Sequence, residues 1–201
     1  FAKYIRNVEE AKAHASATAI EYEYLGPWYD HSGFIEAQAD EVGKVLQTLS
    51  PVERERVHLL FCAHSIPAAM AQQCGYAQEF ETSSHAVAER LEHRGWSLAY
   101  QSRSGIPQEP WLEPDVESVI RQLPDRGARH VVVVPIGFLC EHVEVLFDLD
   151  IEARQEAQRA GLGYHRASTV LDHPSFVEMF AQLIEGQMTG YARREIRGRR
   201  D

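Results

Sequence analysis

Ionisable side chains gather where two apolar segments of the sequence end. The segment VHLLFCAHSIP leads to His64, and VVVVPIGFLCEHVEVLFDLDIE leads to His142, Glu144, Asp148 and Glu152. In an open α/β sheet, ligands bind at the carboxyl ends of the strands, so these side chains are candidates for one site. An imidazole accepts and releases protons near neutral pH, and carboxylates bind cations. The pattern therefore predicts a site that moves protons and a cation.

The three carboxylates of the second segment are spaced four residues apart. If the segment is helical, Glu144, Asp148 and Glu152 form one stripe. Such a stripe is usually a solvated acidic face. However, no Lys or Arg occurs between Glu141 and Ala153, and unpaired like charges at this spacing cost about 0.2–0.5 kcal/mol per pair. We therefore favour a path for protons or a cation, and this donor set with imidazole also suits Fe(II).

His64 and its neighbours have structural alternatives. A lone histidine is usually structural, here a turn residue bonded to the backbone, but its position at a strand end and the turn fixed by Pro67 favour a functional role. Cys62 lies two residues earlier on the same strand face, which would allow a Cys–His nucleophile pair. A buried strand cysteine is far commoner.

Three aromatic residues lie in segments rich in turn formers. Each alone is more often part of a core, but three of them on loops favour a pocket for a flat apolar ligand; they are Trp28, Trp111 and Phe138. The HVE sequence at 142–144 is similar to the H-x-E of zinc deaminases. No PCxxC follows it, so we exclude that class.

Composition narrows the class of protein. The chain has 201 residues, 44% of them hydrophobic and 25% charged, which is typical of a globular protein with one or two domains. A net charge of −10 argues against nucleic acid as the main partner. No apolar run is long enough for a membrane helix, and the first residues do not form a secretory signal. Nothing in the sequence supports a peripheral membrane contact.

The cysteines indicate a reducing compartment. Cys62, Cys74 and Cys140 are odd in number and form no CxxC, which predicts reduced thiols and a cytoplasmic location. A cluster with four thiolate ligands cannot be built from three cysteines, although mixed ligation stays open.

Hydrophobic patterns predict an α/β fold. Helix 4–15, strand 18–25 and helix 33–49, capped by Ser32, come first, and the PVERER stretch then marks a boundary between two lobes. After it, strands alternate with helices. The predicted strands are 57–63, 96–101, 130–135 and one near 164; the predicted helices are 76–94, 114–123, about 141–160 and 174–184. Near-continuous apolar strands separated by helices predict a parallel sheet covered on both faces.

Five motifs together resemble one known family. FCAHSIP, AYQSRSG, PWLEPD, VVVVPIGFLCEHVEVLFDLDIE and GPWYDHSGFI occur, in order and spacing, as in the C-terminal part of ferrochelatases. The resemblance runs from about Tyr4 to Ile184. The sequences of the motifs are most similar to those of bacterial members, including those that metallate coproporphyrin. It implies insertion of ferrous iron into a porphyrin, protoporphyrin IX or coproporphyrin III, in haem biosynthesis.

The resemblance also implies roles for individual residues. His64 would be the base that takes the pyrrole protons, and Glu144 the carboxylate facing it across the macrocycle. Asp148 and Glu152 would continue a path of carboxylates along which protons or the metal move. His64, Glu144, Asp148 and Glu152 would thus be the residues that contact the metal. A larger set of residues would surround the porphyrin. The aromatic residues Trp28, Trp111 and Phe138 would line it, and Gln101, Ser102 and Arg103 would lie near its rim. His142, the histidine of the same motif as Glu144, would lie beside this carboxylate.

The expected architecture is that of the family, a cleft between two Rossmann-like lobes. Residues 1–49 would be the end of the first lobe, 50–172 a complete second lobe, and 173–201 a C-terminal helix with a basic tail. Most of the first lobe would precede Phe1. The sequence departs from the family at Cys140-Glu141, where a small residue and Asp are usual, and at Phe147, which replaces a common Tyr. No tightly bound cofactor and no iron–sulfur cluster are expected, because the cysteine-bearing extension of cluster-containing members is absent from this sequence.

Two other functions stay open at this point. One is a related chelatase that loads cobalt or iron into another tetrapyrrole, although the QSRSG and PWLEPD motifs argue against it. The other is a truncated protein that binds porphyrin or haem without turnover. Because part of the porphyrin-binding wall belongs to the first lobe, this polypeptide alone is expected to lack activity.

Overall fold

A parallel sheet organises the structure. The computed structural model describes residues 2–15, 22–104 and 109–198. Its sheet has the strand order β2-β1-β3-β4, and every neighbouring pair is parallel. The strands are β1 (Val57–His64), β2 (Trp96–Gln101), β3 (His130–Val134) and β4 (Gly163–Arg166). The sequence-based prediction of a parallel α/β sheet is confirmed.

Nine α-helices occur in the part of the chain that the structure describes. They are α1 (Ala2–His14), α2 (Ser32–Gln47), α3 (Pro51–Arg54), α4 (Ala68–Ala71), α5 (Tyr76–Arg90), α6 (Val116–Gln122), α7 (Val143–Phe147), α8 (Arg154–Arg159) and α9 (Pro174–Gly198). A 3₁₀ turn, Pro124–Arg126, follows α6, and a π-helical segment, Asp148–Ala153, joins α7 to α8.

The two faces of the sheet carry separate hydrophobic cores. Successive side chains of a strand point to opposite faces, so Phe61 of β1 packs with α2, α5 and α9, whereas Leu60 packs with α6, α7 and α8. Both side chains are fully buried, which contributes about 1.5–3 kcal/mol for each. Helices therefore cover both faces, as the continuous apolar strands predict.

The described chain divides into two compact units. One comprises residues 28–186, and the other combines residues 1–27 with 187–201. In the second unit, the Tyr22 hydroxyl donates to Glu9, and Lys12 lies 4.9 Å from the centre of the Tyr22 ring. Residues 28–49 pack in the same unit as the sheet. The assignment of residues 1–49 to the end of a first lobe, and of 50–172 and 173–201 to further domains, stays a prediction.

Several element boundaries differ from those predicted. The N-cap of α2 is His31, whose Nδ1 accepts a hydrogen bond from Gly33 N at 3.1 Å, so the prediction that Ser32 caps the helix is wrong. Helix α5 ends at Arg90 rather than at residue 94, because Glu92 adopts a left-handed φ of 53°. The predicted strand 18–25 lies partly outside the described residues, and 22–25 contain no strand.

Within the described residues, no helix is both long enough and apolar enough to cross a membrane.

Candidate active site

Three strand ends meet at one edge of the sheet. The register pairs His64 of β1 with Gln101 of β2, and Phe61 of β1 with Val134 of β3. The carboxyl ends of the strands are therefore adjacent, and the loops that follow them converge. This is the edge at which open α/β sheets bind ligands.

A glycine brings the loop after β3 against the end of β1. Gly137 N donates to Cys62 O at 3.1 Å. A Cβ on Gly137 would lie 2.6 Å from Ala63 Cβ and 2.7 Å from Ala63 Cα, closer than real contacts allow. Because glycine has no Cβ, the loop can pack on the strand and carry residues 138–148 to His64.

His64 and Glu144 form the centre of the site. His64 Nε2 lies 4.0 Å from Glu144 Oε2, and the side chains are 35% and 55% exposed. His64 Nδ1 donates to Ser65 O at 2.5 Å, which fixes the tautomer with its lone pair on Nε2. The free ring nitrogen thus points towards a carboxylate, so a proton or a cation that arrives there meets a base and a negative charge together.

The distance between these groups bears on one expectation. Atoms in contact with opposite faces of a flat ring are about 7 Å apart or more, since each face needs about 3.5–4.0 Å. At 4.0 Å, His64 and Glu144 leave no room for a macrocycle between them. This arrangement therefore favours one side of a flat ring for both groups, and the expectation that Glu144 faces His64 across the ring stays a prediction.

Partly buried hydrogen bonds hold the backbone at His64. The Tyr76 hydroxyl donates to His64 O at 2.8 Å, Ser65 N donates to Gln101 O at 2.8 Å, and Ser65 Oγ donates to Leu112 O at 2.9 Å. Burial raises the pKa of Tyr76 to about 12, so its phenol stays a donor at neutral pH. Sequence reasoning missed Tyr76, because its position at the start of α5 gives no sign that it reaches β1.

The PWLEPD segment lies against the turn that follows His64. Leu112 N donates to Ile66 O at 3.0 Å, and Ala68 N donates to Pro110 O at 2.9 Å. Trp111 forms a backbone bridge with Pro67. Its indole Nε1 is buried and has no hydrogen-bond partner in the described part of the chain. The structure therefore brings Trp111 next to the candidate site.

Asp148 joins the acidic helix to the end of β2. Its Oδ2 accepts a hydrogen bond from Gln101 Nε2 at 3.2 Å and another from the Ser102 hydroxyl. Ser102 has a left-handed φ of 58°, which turns the chain at this point. The structure thus brings Asp148 to two other predicted site residues, which lie 47 and 46 positions before it in sequence.

The π segment affects how the carboxylates line up. In an α-helix, a residue four positions on lies about 40° beyond a full turn, so a stripe drifts around the helix. A π turn contains more residues per turn, and a residue four positions on falls short of a full turn. Glu144 to Asp148 spans α7, and Asp148 to Glu152 spans the π segment, so the two drifts oppose each other. The predicted uniform helix 141–160 is therefore interrupted by the π segment, and the opposed drifts favour a single line for the three carboxylates.

Acidic residues beside the row are paired, although residues 141–153 contain no Lys or Arg. Arg166 of β4 contacts Asp150 at 2.8 Å and Glu141 at 3.0 Å. Glu144 and Glu152 have no ion pair with Lys or Arg among the residues that the structure describes, and both are exposed. The absence of Lys and Arg from residues 141–153 therefore predicted correctly that Glu144 and Glu152 lack an ion pair with either residue type. It gave no sign that Arg166, on a strand distant in sequence, pairs with Asp150 and Glu141.

Other predicted residues occupy different surroundings. Phe138 is buried and contacts the His142 ring edge to face, with centroids 5.2 Å apart. Arg103 is exposed and donates to Glu109 O at 3.2 Å. Trp28 packs in an aromatic cluster on the α2 and α9 side of the sheet, with centroid distances of 5.3, 5.8 and 5.3 Å to Phe34, Phe176 and Phe180. This cluster accounts for Trp28 as a core residue, and its role in ligand binding stays a prediction.

Cys62 does not have the properties of a nucleophile. It is fully buried on the face of β1 that α6, α7 and α8 cover, and burial raises the pKa of its thiol well above the usual range. The thiol contacts Val134 O at 3.5 Å. The commoner alternative, a packed strand cysteine, describes it. In the described ranges, no group of three or more His, Cys, Asp or Glu side chains is arranged to hold a metal ion.

Comparison with known proteins identifies the family. A family model described as ferrochelatase matches residues 1–188. A ferrochelatase of Rhodopirellula baltica is 41% identical over 92% of this chain. The chain belongs to the ferrochelatase family.

The curated ferrochelatases are longer than this chain. The match covers 53% of the Rhodopirellula protein, so the chain spans about half its length. A coproporphyrin III ferrochelatase of Mycolicibacterium smegmatis is 36% identical over 98% of this chain and 59% of its own length. One of Mycobacterium tuberculosis is 39% identical over 91% of this chain and 53% of its own length. Among solved structures, DR2241 of Deinococcus radiodurans, described as having structural similarity to chelatases, aligns with a TM-score of 0.46 and 23% identity over 77% of this chain and 29% of that chain.

Proposed function

We propose that the protein containing this chain inserts ferrous iron into a porphyrin, with His64 and Glu144 acting together from one side of the macrocycle. The observation that carries the proposal is the 4.0 Å approach of His64 Nε2 to Glu144 Oε2 at the carboxyl edge of the sheet. Membership of the ferrochelatase family supplies the reaction class.

The chemistry requires a base and a ligand at one point. Two pyrrole N–H protons leave the ring as Fe(II) enters, so the site releases two protons for each metal inserted. The lone pair of His64 Nε2 accepts a proton, and the adjacent Glu144 carboxylate offsets the charge. Bonds of about 2.0–2.2 Å to one cation place an imidazole nitrogen and a carboxylate oxygen about 3.0–3.5 Å apart, so a small rotation of either side chain would let both contact the entering metal.

Asp148 and Glu152 extend this site outwards. Asp148 is fixed by Gln101 and Ser102, and Glu152 is exposed to solvent beyond it. Carboxylates in this order offer a route by which protons leave or Fe(II) arrives. Trp111, at the turn after His64, would contact the flat face of the ring. Trp28, Phe138, Arg103 and His142 stay candidates for the porphyrin surroundings.

Coproporphyrin III is the first substrate to test beside protoporphyrin IX. Relatives named for coproporphyrin III share 36% and 39% identity with this chain. A cytoplasmic location and the absence of a resident cofactor or iron–sulfur cluster belong to the same proposal. The Cys62 thiol is buried, and Cys74 and Cys140 are exposed and unpaired, which suits a reducing compartment.

Metal insertion assays test the proposal directly. The chain alone, and the chain extended to the length of its relatives, are given each porphyrin with Fe(II), and product is followed by absorbance. In the active form, Glu144→Gln and His64→Ala should each lower the rate by about 10²–10⁴-fold while porphyrin binding is retained. Glu89→Gln, which changes an exposed carboxylate on α5 paired with His85, is the control and should keep the rate.

Each outcome separates one alternative. If both site variants turn over as fast as the parent protein, the proposed roles are refuted. Porphyrin binding without insertion in every form would favour the non-catalytic porphyrin-binding protein. Insertion of cobalt into another tetrapyrrole, with no reaction of iron and these porphyrins, would favour the related chelatase.

A further inference from the structure

Arg166 of β4 holds two acidic residues on either side of Glu144. Its Nε and Nη2 donate to Asp150 Oδ1 and Oδ2 at 2.8 and 3.2 Å, which is a bidentate pair. Its Nη1 donates to Glu141 Oε1 at 3.0 Å. Glu141 precedes α7, and Asp150 lies in the π segment, so the guanidinium spans the stretch that carries Glu144 and Asp148.

This contact is partly enclosed rather than a surface ion pair. The Arg166 side chain is 15% exposed, and those of Asp150 and Glu141 are 25% and 26% exposed. Burial alone would lower the pKa of Arg166, but its hydrogen bonds to the two acids raise the pKa overall. Glu141 Oε1 also accepts hydrogen bonds from Thr169 N at 3.2 Å and Thr169 Oγ1 at 3.3 Å. The acids are therefore held from the β4 side with defined geometry.

The contacts of the two acids are with Arg166, Arg154 and Thr169, whereas His64 contacts Glu144, so we infer that Arg166 acts through the backbone that carries Glu144. Glu141 lies three residues before Glu144 and Asp150 six residues after it, so the guanidinium restrains the backbone on both sides of Glu144. Asp150 fixes the π segment, and Glu141 fixes the entry to α7. An arginine contacts both acids at once, since its planar fork offers parallel donors on one edge and a further donor on the other.

We propose that Arg166 is a positioning residue, which holds the segment 141–150 so that the Glu144 carboxylate lies against His64 Nε2. The catalytic meaning of this role rests on the proposed function, whereas the positioning itself does not. Arg166→Lys keeps the positive charge but cannot reproduce the three-point contact. We therefore expect Arg166→Lys to loosen Glu144 without removing the charge.

A spectroscopic comparison on this chain tests the positioning. In the parent protein, Glu144→Gln should change the NMR shifts of the His64 ring, because the carboxylate is 4.0 Å away. In the Arg166→Lys background, the change caused by Glu144→Gln should shrink. Arg154→Lys is the matched control, since Arg154 also contacts Asp150, at 3.7 Å, but is 52% exposed. The full effect of Glu144→Gln should persist in that background.

A kinetic measurement on the active, full-length form adds a second readout. Misplacement of a reacting group by about 1 Å can cost 10²-fold in rate, so Arg166→Lys should lower kcat by about 10–100-fold while KM for porphyrin stays within a few-fold. Loss of porphyrin binding with unchanged kcat would contradict a positioning role. If Arg166→Lys fails to fold, Glu141→Gln, which weakens only one of the two contacts, should shift both readouts in the same direction.

The two proposals fail separately. If Glu144→Gln has the same effect on the His64 ring in the parent protein and in the Arg166→Lys variant, Arg166 does not position Glu144. If Glu144→Gln leaves metal insertion unchanged, the proposed function is wrong, whatever the ring shifts show.

Discussion

Replacement of Gly137 by alanine is a sharp test of how the site is assembled. The new Cβ would lie 2.6 Å from Ala63 Cβ and 2.7 Å from Ala63 Cα. The second of these atoms is backbone in the middle of the sheet, so it cannot move aside as the end of a flexible side chain can. The loop after β3 must therefore shift away from β1, next to His64.

The expected cost follows from overpacking. Insertion of a methyl group into a well-packed region costs about 1–3 kcal/mol. For a chain of this size, 1 kcal/mol lowers the melting temperature by about 2–4 °C. Gly137→Ala should thus lower the free energy of unfolding by about 1–3 kcal/mol, measured by urea unfolding followed by circular dichroism. The hydrogen bond from the backbone N–H of position 137 to Cys62 O should also weaken in the variant. Hydrogen exchange of this amide should then be faster than in the parent protein.

Gly43 provides the matched control. It lies within α2, and a Cβ there would have no atom within 4 Å. Alanine in a helix interior is favoured over glycine by about 0.5–1 kcal/mol, so Gly43→Ala should stabilise the protein. If Gly137→Ala is as stable as the parent while Gly43→Ala behaves as expected, the close packing of the β3 loop on β1 is refuted.

Two further predictions concern groups near the strands. Tyr76→Phe removes the hydrogen bond to His64 O and should cost about 0.5–1.5 kcal/mol in urea unfolding; an unchanged midpoint would show that this bond contributes nothing. Burial lowers the pKa of His58 to about 4 from its ordinary value of 6.5. Below about pH 6.5 the unfolded chain takes up a proton that the folded chain does not, so stability should fall from pH 6.5 towards pH 4, by up to about 1.4 kcal/mol per pH unit. In His58→Gln, the free energy of unfolding should depend less steeply on pH. An equal pH dependence in both proteins would contradict the lowered pKa of His58.

The sequence predicts the fold well where apolar runs are continuous. Strand β2 has its predicted bounds, and β1 and β3 differ from theirs by one residue. Such strands are readable because both faces of a parallel sheet are buried. The ends of helices are less readable, since they depend on single residues. The ring of His31 caps the start of α2, and the left-handed φ of Glu92 prevents α5 from continuing.

The site is readable only in part, because its geometry depends on contacts distant in sequence. The strand-end rule places His64 at the edge where the strands end, whereas the contact of Asp148 with Gln101 and Ser102 was not predicted. However, a sequence motif indicates which residues are candidates for a site and gives no distances between their side chains. The 4.0 Å distance from His64 to Glu144 could not be inferred from the motifs.

Two residues had no signal in the sequence at all. Tyr76 reaches the His64 carbonyl from the start of α5, and Arg166 reaches the acids from the edge strand β4. Both act through pairings that exist only once the sheet has formed. A lone Tyr or Arg in an ordinary segment does not distinguish such a role from a surface position.

The most direct measurement is a crystal structure of the protein with a metal-free porphyrin bound. We expect the macrocycle at the carboxyl edge of the sheet, with His64 Nε2 and the Glu144 carboxylate both facing its nitrogens from the same side. A macrocycle lying between these two side chains, or bound away from both of them, would contradict the account.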